Sequence, residues 1–162
     1  ARTSESNYEA TTQTFTANKY KAYGLELEAG YSIAALRLAG GLTLTHSRIT
    51  ASNDAATVGN TPRRLAKAVL EFSPSYVLGD FELGATALYT GKSYGDDANT
   101  ITLPAYTQVN GFLTYHLSDR AQLGLTVNNL TNAIGYTEIE GDGHAARSIN
   151  GRTALASLKY SF

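Results

Sequence analysis

The side chains best equipped for chemistry in this chain are scattered. Its three histidines, His46, His116 and His144, share no zinc-ligand spacing, and no cysteine is present to supply a thiolate. His116-Leu117-Ser118-Asp119 sets a base, a hydroxyl and a carboxylate close in sequence, the residue types of nucleophilic acyl transfer. That chemistry needs the groups to converge from one side, and here they straddle a turn, so a wall or turn role is the stronger reading. Asp96-Asp97 suits Ca²⁺ by charge, but a solvated acidic loop tip accounts for it as well. Asn129-Leu130-Thr131 matches a glycosylation sequon by its letters only. No catalytic residue, metal site or cofactor is expected, and the chain is read as a non-enzyme.

Binding is the better-supported class. Three long polar connections, Arg48–Thr61, Gly91–Leu103 and Thr131–Asn150, gather side chains suited to a bulky hydrophilic small molecule. The candidate contacts are Arg48 in the first, Tyr94, Asp96 and Asp97 in the second, and Tyr136, His144 and Arg147 in the third. The competing account is that each is an ordinary solvated loop residue.

The elements that must position these loops are strands. In Tyr23–Tyr31 the apolar row Tyr23, Leu25, Leu27, Ala29 and Tyr31 alternates with Gly24, Glu26 and Glu28, the period of a strand with one apolar face. The same alternation fills Leu36–Thr45, Leu65–Tyr76, Phe81–Tyr89, Val109–Leu117, Ala121–Val127 and the last strand, Ala154–Phe162. Tyr8–Ala17 reads as a weaker, Thr-rich eighth strand. Ser32–Ala35, Leu78–Asp80 and Ser118–Arg120 are short turns that alternate with the long loops. An up-and-down antiparallel order therefore places all long loops at one end. Only a short Asn18–Lys19 link at the long-loop end departs from this.

Two environments suit such a sheet: a soluble sandwich or lipocalin-like barrel with the apolar row inward, or a transmembrane barrel with that row on lipid. Most strands exceed the ~5–6 residues usual in soluble proteins and approach the ~9–11 that cross a bilayer at a tilt. Rings gather near strand ends on the apolar row (Tyr23, Tyr31, Tyr76, Phe81, Tyr89, Tyr115, Tyr160, Phe162), as aromatic girdles do. The transmembrane barrel is the favoured reading. The polar row then lines the lumen with Glu26, Glu28, Arg37, Lys67, Glu71, Glu82, Gln108, Asn110, Asn128 and Lys159. Small residues on that row, Gly24, Ala39, Gly41, Gly84 and Gly124, would underfill a narrow barrel and favour a wider or plugged lumen.

At 162 residues with a net charge of −1, one domain is expected over 1–162, with no pull toward nucleic acid. No apolar run approaches the ~20 residues of a spanning helix. The chain contains no methionine, so Ala1 is expected to be a processed or excised end.

The ending, with Tyr160 and Phe162 on alternate positions, resembles the C-terminal signature of bacterial outer-membrane barrels. In those proteins the barrel-assembly machinery reads the last strand. Further stretches resemble the C-terminal part of TonB-dependent receptors: Tyr23-Gly24-Leu25-Glu26, Leu125 to Asn132 with Tyr136 beyond, Ile149-Asn150-Gly151-Arg152, Pro62, and Pro104-Ala105-Tyr106-Thr107. The resemblance covers about residues 18–162. It implies a portion of a barrel of about 22 strands, of which this chain would be about the last eight, with no plug domain of its own. It also implies a multi-pass place in the outer membrane of a Gram-negative bacterium, and energised uptake of a scarce ligand, a ferric siderophore first. The partners it implies are outer-membrane lipid, the plug and remaining strands, TonB indirectly, and the assembly machinery. The alternatives are a self-closing eight-stranded structural or adhesive barrel, and more remotely a soluble lipid-binding barrel.

Overall fold

The computed structural model describes residues 2–9, 14–139 and 145–162. In chain order the elements are β1 (Arg2–Glu9), β2 (Thr14–Ile33), β3 (Leu36–Ser52), a single 3₁₀ turn (Ala55–Thr57), β4 (Ala68–Leu78), β5 (Phe81–Thr90), β6 (Ser93–Tyr94), β7 (Thr102–Leu103), β8 (Tyr106–Ser118), β9 (Ala121–Asn128), β10 (Tyr136–Ile139), β11 (Ala146–Ser148) and β12 (Thr153–Tyr160). Eight strands form one sheet in the order β1-β2-β3-β4-β5-β8-β9-β12, and every neighbour is antiparallel. The short pairs β6/β7 and β10/β11 are hairpins set within two of the long loops. Among the described residues β1 and β12 lie out of contact, so the sheet is open.

Register turns the sequence alternation into two faces. Leu27, Leu42, Leu70 and Tyr89 are successive cross-strand partners, and one residue along lies the row Glu28, Gly41, Glu71, Leu88. Leu113, Leu125 and Ala156 continue the apolar face to the last strand. That face has no second layer over it: Leu25, Leu27, Tyr31 and Leu158 are each more than half exposed. Among the described residues the only deeply buried apolar side chains are Ile49 and Leu103, both at the long-loop end. A soluble sandwich would bury the rows that this sheet leaves bare.

The short turns follow from local chemistry. Gly79, with φ 57°, takes the left-handed position between β4 and β5, where a side chain would add strain. Ala34 occupies the same region at φ 49° in the two-residue turn between β2 and β3. At the third turn the Arg120 N–H donates to Ser118 Oγ at 3.3 Å.

Two expectations are corrected. Tyr8–Ala17 is not one strand: Tyr8 and Glu9 close β1, opposite Phe15 and Thr14 of β2, and residues 10–13 lie outside those described. Threonine is at home on either face of a strand, which is why the run reads as continuous. Nor is Asn18–Lys19 a link. β2 runs through it for 20 residues, and β3 matches it with 17, extending past Arg48 to Ser52. Above the apolar band the alternation changes phase: Lys21 and Arg48 stand on the apolar row while Tyr20, Ala22 and Ile49 take the other, so no single period runs the length of either strand.

Candidate ligand-binding loops and polar face

The polar face gathers most of the residues expected to line a lumen. Glu26, Glu28, Arg37, Glu71, Glu82, Gln108, Asn110, Asn128 and Lys159 all fall on the row opposite Leu27 and its partners. Lys67 lies just before β4, and its carbonyl accepts from Thr45 N–H at 2.9 Å. Ser73 Oγ lies 3.1 Å from Glu71 Oε1 and 3.0 Å from Thr86 Oγ1. Gln108 Nε2 donates to Asn110 Oδ1 at 3.1 Å, and Asn128 Nδ2 to Thr153 Oγ1 at 3.3 Å. Among the described residues Glu26, Glu28, Arg37, Glu82 and Lys159 form no ion pair. A side-chain-filled small barrel would pair them. Left open, they suit a wall facing water or another domain. Phe112 also belongs to this row, and its ring lies over Gly84, where a Cβ would come within 2.5 Å of it.

At the long-loop end the connections are fastened to one another. The Asp97 carboxylate accepts from Asn18 Nδ2 at 2.6 Å and from Arg63 N–H at 2.9 Å, while its carbonyl accepts from Asn60 Nδ2 at 3.0 Å. Asp96 turns its carboxylate onto its own loop, accepting from Thr100 Oγ1 at 2.6 Å and Ile101 N–H at 2.9 Å. Asn99, at φ 62°, makes a reciprocal pair with the Thr61 backbone, 2.7 Å from Nδ2 and 3.0 Å to Oδ1. Arg64 donates its N–H to Tyr94 O at 2.7 Å, and its guanidinium pairs with Glu138 on β10. Arg147 Nε approaches the second Glu138 oxygen at 3.5 Å. All three long loops are thereby joined.

A second knot sits where β9 ends. Asn129 is fully buried and left-handed, φ 51°. Its Oδ1 accepts from Ala133 N–H at 2.8 Å, and its Nδ2 donates to Ala133 O and Asn150 O, both at 2.9 Å. Its N–H donates to Asn110 Oδ1 at 2.9 Å, and Asn132 Oδ1 accepts from Arg152 N–H at 3.0 Å. One asparagine ties β8, β9, the third loop and the run into β12. The sequon letters Asn129-Leu130-Thr131 therefore mark a buried side chain.

The candidate contacts fall into three groups. Tyr94, Asp96 and Asp97 share one strap of the second loop, with Lys92 Nζ 5.1 Å from the Tyr94 ring centre. Tyr136 and Arg147 stand on the β10/β11 hairpin, joined to that strap through Glu138 and Arg64. Arg48 stands apart: it lies within β3, not in a loop, on the row of Tyr23 and His46. His144 lies outside the described residues. Sequence reasoning missed Asn18, Asn99, Asn129 and Glu138 as the fasteners. The readable signal was asparagine recurring at loop borders, since it tolerates the left-handed region while bonding to backbone. His116 and Ser118 line a polar cavity of about 470 Å³ at the short-turn end with Asp80, Asp119 and Lys159. Ser118 Oγ is engaged by Arg120 N–H there, with no His116 contact among the hydrogen bonds described.

The described family "TonB dependent receptor-like, beta-barrel" matches residues 2–130. The ferrichrome outer membrane transporter/phage receptor of Escherichia coli K12 is 33% identical over 120 residues, 68% of this chain and 16% of that protein. The probable TonB-dependent siderophore receptor PiuA of Acinetobacter baumannii is 29% identical over 103 residues, 64% of this chain and 13% of that protein. The crystal structure of the A. baumannii siderophore receptor PiuA superposes with a TM-score of 0.76 at 25% identity, over 91% of this chain and 23% of that one. The ferric yersiniabactin uptake receptor FyuA of Yersinia pestis shares the fold, with a TM-score of 0.78 at 20% identity over 91% of this chain and 26% of that one. The chain thus spans less than a fifth of the curated relatives it matches.

Proposed function

The chain belongs to the TonB-dependent receptor β-barrel family, and on that premise we propose that residues 1–162 form one barrel segment of an outer-membrane receptor that imports a scarce ligand. The observation that carries this reading is the pair of faces kept in register from β2 to β12, apolar and bare on one side, polar on the other. The apolar face meets outer-membrane lipid, with rings at its margins. The polar face meets water and the plug domain through the unpaired Glu26, Glu28, Arg37, Glu82 and Lys159 and the hydrogen-bonding Glu71, Gln108, Asn110 and Asn128.

The joined loops stand over that lumen and contribute to a ligand site through Tyr94, Tyr136 and Arg147. A ferric siderophore is the ligand class we propose, since the relatives are named for ferrichrome and siderophores. Further strands complete the wall beside β1 and β12, TonB acts through the plug, and the assembly machinery reads Tyr160 and Phe162, whose rings meet edge-on at 5.3 Å. The role is binding and transport in a Gram-negative outer membrane, without catalysis.

The test is uptake of radio-iron presented on a panel of siderophores. Cells carrying the gene, cells lacking it and cells lacking TonB are compared. Uptake of at least one iron complex is expected only when gene and TonB are both present. Equal uptake of the whole panel in all three strains would sink the siderophore reading.

A further inference from the structure

The strand whose pairing side-chain alternation defines least is β12. It is exposed along its whole length, and among the described residues β9 is its one neighbour. A slide of one residue against β9 would turn Ser157 and Lys159 onto the apolar face, which excludes odd slides. A slide of two keeps both faces. In the observed register Ala154, Ala156 and Leu158 partner Val127, Leu125 and Leu123. Two residues along, Ala156, Leu158 and Tyr160 would meet the same three, an equally apolar set. At ~3.4 Å per residue these alternatives lie about 7 Å apart along the strand.

A tight hairpin turn makes such a choice by its own geometry, as the short turns of this sheet do. The connection from β9 to β12 is instead residues 129–152, too long to set a register unaided. Two asparagines shorten it. Asn129 follows β9 directly and donates from Nδ2 to Asn150 O at 2.9 Å. Asn132 Oδ1 accepts from the N–H of Arg152, the residue before β12, at 3.0 Å. Both asparagines hold the left-handed backbone, at φ 51° and 52°. The start of the connection is itself anchored to β8, by Asn129 N–H on Asn110 Oδ1 at 2.9 Å and Leu130 N–H on Val109 O at 2.7 Å. The two ends of the long connection are therefore held against each other at one offset. Asn128 Nδ2 carries the contact onto Thr153 Oγ1 at 3.3 Å.

We propose that Asn129 and Asn132 act as a register clamp, selecting among the even slides the one pairing that β12 adopts on β9. Two hydrogen bonds of ordinary net strength bias that choice roughly 5- to 150-fold. A slide of two would carry Tyr160 and Phe162 about 7 Å along the strand, off the aromatic margin at the short-turn end. The clamp requires only the strand order. Its consequence for the rings rests on the apolar face being lipid-facing.

The experiment reads register from disulfides in the full-length receptor assembled in cells. This chain has no cysteine, and any elsewhere in the receptor is replaced by serine. Leu125→Cys is combined in turn with Ala156→Cys, its observed partner, and with Ala154→Cys or Leu158→Cys, its partners after a slide of two. Register partners have Cα atoms ~4.5–5.5 Å apart, within disulfide reach, and diagonal neighbours lie ~7–8 Å apart, beyond it. With both asparagines in place only Leu125→Cys with Ala156→Cys should close. Asn129→Gly combined with Asn132→Gly keeps the left-handed backbone and removes the side-chain bonds. The slipped pairs should then close, and the ratio of native to slipped product should fall roughly 5- to 150-fold. Asn132→Asp keeps the acceptor for Arg152 N–H and should leave the register unchanged, as should Asp97→Ala, which loosens the loops away from β12. If the double variant does not assemble, Asn132→Gly alone decides, because it leaves the buried Asn129 bonds whole. Native product alone from the glycine variants, or as much slipped product from Asp97→Ala as from them, overturns the clamp.

Discussion

An arginine carried along β2 measures the two faces directly. Tyr23, Leu25, Leu27, Ala29 and Tyr31 form one row, with Leu27 midway between the two rings. Eight residues at ~3.4 Å separate the rings by about 27 Å along the strand, and a tilt of ~40° reduces this to about 21 Å across the membrane, close to the ~25 Å apolar band of such barrels. Leu27 therefore sits near the midplane, where arginine costs ~2–4 kcal/mol, against ~0–1 at the interfaces. Leu27→Arg should shift the folding equilibrium by roughly 30- to 1000-fold. Leu25→Arg and Ala29→Arg should fall between, and Tyr23→Arg and Tyr31→Arg should show the least charge penalty. The neighbour Glu26→Arg turns to the polar face and should change folding by less than about fivefold. The assay is urea-dependent folding into lipid vesicles, read from the difference in gel mobility between unheated and boiled samples. A flat profile along the row, or a larger loss from Glu26→Arg than from Leu27→Arg, would refute the assignment of faces.

Asn129→Ala removes three side-chain hydrogen bonds from a fully buried position and puts alanine at φ 51°; the combined cost is about 3–4 kcal/mol. Limited proteolysis should cut the third loop of the variant well before that of the wild type, and Asn129→Gly should recover part of the loss by relieving the backbone. Gly84→Ala drives a methyl into the Phe112 ring, with Pro74 O only 3.0 Å away, for a loss of about 1–3 kcal/mol. Adding Phe112→Ala should return most of that in a double-mutant cycle of thermal unfolding in detergent. Glu138→Gln uncouples Arg64 and Arg147; at an exposed pair this costs under about 1 kcal/mol. Its readout is faster hydrogen exchange in β10 and β11, an effect that high salt should mimic in the wild type.

The parts of the fold legible in the sequence are those where lipid or lumen imposes a strict period. Tyr23 to Tyr31 alternates because each side chain meets one of two unlike media, and the same holds for Phe81–Tyr89 and the last strand. The upper ends of β2 and β3 were illegible for the complementary reason. Lys19, Lys21, Arg48 and Thr50 lie beyond the apolar band, and the residues between them, Tyr20 and Ile49 among them, put the apolar side on the opposite row, out of phase with the band below. Tyr8–Ala17 failed on threonine, which states no preference for a face. The fasteners escaped because each is a single side chain reaching far along the chain, as Asn18 does to Asp97, and spacing carries no trace of such a contact.

The hydrogen-bond inventory also changes which loop residues are free to meet a ligand. Asp96 and Asp97 drew notice as paired carboxylates, yet both oxygens of each already accept from protein donors, at 2.6–3.3 Å. A carboxylate so occupied would have to surrender charge-assisted bonds, worth ~1.5–3 kcal/mol each, before it could bind anything else. Tyr94 and Arg147 carry no such debt. The Tyr94 ring faces Lys92 across 5.1 Å, and the Arg147 side chain is 80% exposed with one 3.5 Å contact to Glu138. The proposed contact set therefore contracts onto aromatic and cationic groups, while the acids keep the loops in place. That division makes a separable expectation: Tyr94→Ala should lower siderophore affinity with the loops still protease-resistant, whereas Asp97→Ala should open the loops first. If Asp97→Ala abolished binding with proteolysis unchanged, the carboxylate would be a ligand contact and the division of labour argued here would be wrong.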